Sequence, residues 1–144
     1  MSDQTIKLVA AGVLLLHGLG HGGALGALAW IRSRPGTPAG DWLAARSWLV
    51  PSLPADTATT VASAFWIVAL VGFVIAAMSF WGVVIAASVW RPLAVASALV
   101  SIVGIAFFFG TWPKFNTLAA LGVDLAVLVA VLWLHWPPQA TFGR

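Results

Sequence analysis

Cysteine is absent from the 144 residues, which excludes disulfides, thiolate metal sites and thiol nucleophiles together. Charge is scarce as well. Seven Lys and Arg and four Asp and Glu make up 8% of the chain, against about 25% in an average soluble domain. The basic residues are scattered singly, so no patch or stripe can track nucleic-acid phosphates despite a net charge of +3 and a pI near 10.8. Nucleic acid is not an expected partner. Tyrosine is also missing, whereas tryptophan occurs nine times. Most of the tryptophans stand near the ends of apolar segments, where an amphipathic ring suits the headgroup region.

What the chain has in abundance is apolar surface: 61% hydrophobic residues and a mean hydropathy of +1.00 place it among membrane proteins, with the lipid bilayer as its first partner. Residues 1–144 read as one transmembrane domain. A short polar lead ending at Lys7 precedes an apolar run over 8–31, long enough to span a hydrocarbon core of about 30 Å with some tilt. The small residues Ala27-Leu28-Ala29 after that run also resemble a signal-peptide cleavage site. A span is preferred because the basic lead is a single lysine and the run exceeds a usual h-region of about 7–15 residues. The apolar stretch 61–110 is too long for one span and suits two, over 61–85 and 92–110, divided at Trp90-Arg91-Pro92. The turn Gly110-Thr111-Trp112-Pro113-Lys114 precedes a fourth span over 116–136, stopped by Pro137-Pro138.

The fold expected is therefore all-α and integral to the membrane: a four-helix transmembrane bundle with a short interfacial helix in the first connection. That helix is expected over 41–50, where Asp41 is an N-cap candidate and Trp42 and Trp48 are anchors; an irregular loop pinned by its tryptophans is the competing reading. Basic residues divide almost evenly between the two sides, and Arg32 and Arg34 directly after the first span tilt the expectation towards termini outside. Arg91 and Lys114 read as snorkelling interface charges, and the run Phe107-Phe108-Phe109 as lipid-facing anchorage.

Inside the first span stand His17 and His21, one helical turn apart, and inside the fourth stands Asp124, the sole carboxylate within a span. An ionisable group at such depth is a functional-site hypothesis by default. At 1.5 Å per residue, His17 lies roughly 15 Å below the interface on the terminal side, His21 roughly 20 Å, Asp124 roughly 18 Å and Ser101 roughly 15 Å. All four meet near the bilayer midplane if their helix faces agree. Gly18, Gly22 and Gly26 form a small-xxx-small stripe about 100° round from the histidine face, suited to close helix packing.

Three readings of the polar cluster are open. It can be structural, fixing helix register; it can bind a proton, a metal ion or a small polar ligand through His17, His21 and Asp124, with Ser101 in support; or it can be catalytic. Against catalysis, the Glu that serves as base in His-Glu-x-x-His proteases is replaced by Gly18. Three histidines are too few for di-iron histidine boxes, and His17 and His21 share one face, which does not suit haem held between two helices. His135 reads as an interfacial side chain between Trp133 and Trp136. Small size and small-residue stripes also suit an accessory or scaffold subunit, either in a homo-oligomer or in a larger membrane complex.

The chain resembles a family of small uncharacterised bacterial four-helix membrane proteins with a Leu-His-Gly-x-x-His first helix. The resemblance rests on Leu16-His17-Gly18-Leu19-Gly20-His21, Arg46-Ser47-Trp48-Leu49 and Trp112-Pro113-Lys114-Phe115-Asn116-Thr117-Leu118. It covers most of the chain and implies a four-helix architecture in a bacterial inner membrane. It implies no reaction.

Overall fold

In the computed structural model, which describes residues 2–34, 46–83, 85–138 and 141, every regular element is helical. Four helices are long and apolar enough to cross a membrane. The first, α1, runs over Asp3–Ser33 and takes in most of the polar lead that precedes the apolar run. It begins early because Ser2 caps it, its Oγ accepting from the Thr5 N–H at 3.2 Å, with Asp3 in the first turn complementing the helix dipole. Its 31 residues extend over roughly 46 Å, more than the hydrocarbon thickness.

The second helix, α2, spans Ala55–Ser79, six residues earlier than the hydropathy suggests. Its polar start is tolerated because Thr59, Thr60 and Ser63 donate their hydroxyls to the carbonyls of Ala55, Asp56 and Thr59 one turn back. It stops at Ser79, ahead of a turn in which Gly82 adopts φ +64°, a left-handed conformation that glycine takes without a Cβ clash. A 3₁₀ turn, Ala87–Val89, then leads into α3, Trp90–Phe108. The fourth helix, α4, runs over Lys114–Leu128 and continues through a π turn at Val129–Trp133.

Consecutive helices pack along their lengths, α1 on α2, α2 on α3 and α3 on α4, whereas α1 and α4 make few backbone contacts. The interior is built largely of small side chains. Ala58, Ala62, Ala69 and Ala76 of α2 and Ala94 and Ala98 of α3 are fully buried, with Trp66, Phe73, Phe80, Trp90 and Phe108 among the large fillers. Bulky residues such as Leu16, Phe115 and Trp133 point outward. This distribution suits a bundle in lipid, where outer residues gain nothing by hiding and small inner residues allow close helix approach. The glycine stripe is used unevenly. A Cβ on Gly18 would lie 3.0 Å from Phe73 Cβ and 3.1 Å from the Leu70 carbonyl oxygen, one on Gly22 would make an ordinary 3.4 Å contact with Leu70, and one on Gly26 would meet nothing. Gly26 is therefore not a packing position among the described residues.

Three further expectations change. Of the 41–50 segment, residues 41–45 lie outside the described residues and 46–50 are not helical. The latter instead satisfy the open carbonyls at the end of α3: Ser47 Oγ donates to Phe107 O at 2.8 Å, the Trp48 N–H donates to the same carbonyl at 3.2 Å, and the Trp48 indole donates to Ala106 O. In the Phe107-Phe108-Phe109 run, Phe108 is core while Phe107 stays exposed, because adjacent helical residues point about 100° apart. Arg91 does not simply snorkel. Its guanidinium donates to the carbonyls of His135 and Pro137 at 3.0 and 2.5 Å, clasping the end of the α4 extension to the start of α3.

The contrast along the glycine stripe gives a test. Gly18→Val is expected to lower the thermal midpoint in detergent, with an overpacking cost of about 1–3 kcal/mol. Gly26→Val should leave the midpoint within error. Equal midpoints for the two variants would contradict the packing described for α1 and α2.

Candidate functional site

The depth arithmetic that puts His17, Asp124 and Ser101 at one level becomes direct contact. The antiparallel course of α1 and α4 and the placement of α3 beside α4 turn three separate polar residues into a chain. His17 Nε2 and Asp124 Oδ1 are hydrogen-bonded at 2.7 Å, and Ser101 Oγ donates to Asp124 Oδ2 at 2.5 Å. Asp124 and Ser101 are completely buried and His17 nearly so. A carboxylate in such surroundings is costly unless paired and hydrogen-bonded, and here each oxygen has a partner from a different helix. With Asp124 ionised, the His17 Nε2–H is the donor of that bond.

His21 is handled differently. Its side chain is wholly buried, and among the described residues neither ring nitrogen has a hydrogen-bond partner. Aromatic rings surround it instead. Trp66 is stacked at 5.6 Å between centroids, Phe73 lies parallel at 6.1 Å, Trp112 is tilted at 6.2 Å, and the His17 ring meets it edge-on at 5.0 Å. A neutral imidazole carries one donor and one acceptor, so either tautomer leaves two unmet polar functions in an apolar cage. Such orphaned groups are rare in native interiors and call for a partner. The ligand-capable atoms of His17, His21 and Asp124 all lie within 4.8 Å of one another.

All four midplane residues named from the sequence thus come together, Ser101 as a buttress of Asp124 rather than a neighbour of the imidazoles. Gly18 abuts α2 on the flank of the same helix, and Gly22 is in ordinary contact there. His135 stays apart, exposed at the end of the α4 extension with φ 50°. The cage of Trp66, Phe73 and Trp112 was not anticipated. Two signals mark it in hindsight: Trp66 sits well inside an apolar run, away from any interface, and Phe73 follows seven residues later on the same face of α2.

No family model, curated protein or solved structure matches this chain.

The bridge carries a stability expectation. Asp124→Leu strands both the His17 N–H and the Ser101 hydroxyl, whereas Asp124→Asn can still accept from one and donate to the other. Loss of two interhelical hydrogen bonds in a membrane bundle amounts to about 1–2 kcal/mol. Thermal melts in detergent should rank wild type above Asp124→Asn and Asp124→Asn above Asp124→Leu. A leucine variant as stable as wild type would show that the bridge contributes nothing.

Proposed function

We propose that this protein binds a transition-metal ion between His17, His21 and Asp124, at the midplane of a bacterial inner membrane. The location is taken from the family that the chain resembles. The observation that carries the metal reading is His21: a fully buried ring whose nitrogens lack partners among the described residues, within 4.8 Å of a second imidazole and a carboxylate. An ion can occupy this space without a cavity, because its ligands are the walls.

Two imidazoles and one carboxylate are a donor set used by Zn²⁺ and by non-haem Fe²⁺, while Mg²⁺ and Ca²⁺ require oxygen ligands. Metal bonds of about 2.1 Å put tetrahedral ligand atoms about 3.4 Å apart. Ring rotation at His17 and His21 would bring the set to that spacing, opening the 2.7 Å His17–Asp124 hydrogen bond as the ion takes its place. Ser101, hydrogen-bonded to the far carboxylate oxygen, is suited to orient Asp124 as outer partners do in metal sites. The aromatic cage would keep water from the ion. One carboxylate against a divalent ion leaves a single net positive charge and at least one open coordination position, so a further oxygen or anionic ligand is expected at the metal.

The test is elemental analysis of protein purified without metal-affinity steps, followed by Zn²⁺ titration of the chelator-stripped protein. About one equivalent of zinc or iron is expected. His21→Phe fills the cage and preserves packing but should lower the affinity at least tenfold, and Ser101→Ala should weaken it about 10–100-fold. If well-folded wild-type protein neither carries nor takes up metal, the cluster serves helix register alone, as it would in a scaffold subunit.

A further inference from the structure

The sparse contact between α1 and α4 leaves an open seam, and its shape is that of a head chamber continued by a tail groove. The chamber, of about 430 Å³ and open on its outer side, is bordered by the buried Trp112 and by His17, with the exposed side chains of Phe115 and Asn116 on its rim. The groove, of about 370 Å³, runs towards Trp90 and Trp136 between Ala10 and Leu14 on one side and Ala126 and Ala130 on the other. Both cavities are lined by Val13, Ala119 and Val123, so they adjoin along the seam. Spread over the roughly 18 Å of helix between Ala119 and Val131, the groove leaves about 20 Å² of cross-section, enough for one hydrocarbon chain and too little for a helix of about 10 Å diameter.

We propose that this seam binds a prenylated quinone, with the planar carbonyl-bearing ring in the chamber and the prenyl chain along the groove. The chamber has aromatic walls for a flat ring, an amide donor in Asn116 for a carbonyl oxygen, and a second polar edge in His17. No Lys or Arg lines either cavity among the described residues, which suits a neutral head and leaves a phospholipid phosphate without a counter-charge. A fatty acid would fill the groove but not the chamber. A second helix, from this chain or another, does not fit. The quinone and metal readings share His17, which lines the chamber and belongs to the proposed metal site, and they separate at His21 and Asp124, neither of which lines the seam.

The experiment uses the full chain in mild detergent and a ubiquinone carrying two prenyl units, read by quenching of tryptophan fluorescence. Trp112 borders the chamber, and Trp90 and Trp136 border the groove. Quenching is expected to saturate at one quinone per chain, with palmitate and farnesol competing poorly. Gly122→Phe blocks the groove at a position where a Cβ meets nothing within 4 Å, and Asn116→Leu changes an exposed side chain. Each should weaken quinone binding about tenfold, equivalent to about 1.4 kcal/mol, with helical circular dichroism and metal content unchanged. Quenching that rises linearly and equally in wild type and both variants is partition into the micelle and overturns the proposal. Equal displacement by palmitate also overturns it, by assigning the seam to any single chain. Loss of metal in His21→Phe with intact quinone binding, or the reverse in Gly122→Phe, separates the failure of one reading from the failure of the other.

Discussion

The hydrogen bond between His17 and Asp124 is the constraint on which the arrangement of this bundle turns. Helices α1 and α4 are the first and last spans and have little backbone contact. Without a polar link, nothing would distinguish their mutual approach from the approach of lipid to either one, because lipid tails are as apolar as the side chains they would replace. The 2.7 Å bridge, buttressed by Ser101 from α3, ties three helices at one depth. It thereby fixes register along the membrane normal, a degree of freedom that apolar packing specifies weakly.

The remaining packing is consistent with that role. Alanines of α2 and α3 and the close approach of Gly18 to Leu70 and Phe73 bring α1, α2 and α3 together as a tight sheaf. Among the large side chains buried between these alanines, Trp66 and Phe73 have a distinct place: with Trp112 they enclose His21. The same sheaf leaves α4 held by α3 and by the polar bridge, with Arg91 clasping the carbonyls beyond its π turn. The seam between α1 and α4 follows from this division. It is open where Ala119, Gly122, Ala126 and Ala130 leave space beside α4 that no side chain of α1 fills.

Much of this was legible in the residue order, and the misreadings have definite causes. The spans were found because apolar runs of membrane length are unmistakable, yet α2 begins at Ala55 rather than near residue 61 because threonine and serine hydroxyls can bond back into their own helix and pass as polar loop residues. The coincidence of His17, Asp124 and Ser101 in depth followed from a fixed rise per residue. Their facing did not, since helix rotation depends on neighbours. Trp48 and Arg91 looked like interface anchors, but each donates to a carbonyl that a helix end leaves open, and which end lies within reach is a matter of tertiary placement. Gly26 repeats the spacing of Gly18 and Gly22 but meets none of the described residues, because each step of four residues turns about 40° round the helix and carries the stripe off the face of α1 that packs on α2.

By itself the sequence determined that four apolar helices would form and that their few ionisable groups would share a level. Both properties follow from local quantities: hydrophobic length against membrane thickness, and 1.5 Å of rise per residue. Only the tertiary structure decided which of those groups would be satisfied. Asp124 received two partners while His21, one turn from His17 on the same helix, received aromatic walls and none. The physical reason is that hydrogen bonds are directional and short. A match in depth brings polar groups into the same slab of membrane, but only helix rotation and interhelical distance bring a donor to within 3 Å of an acceptor.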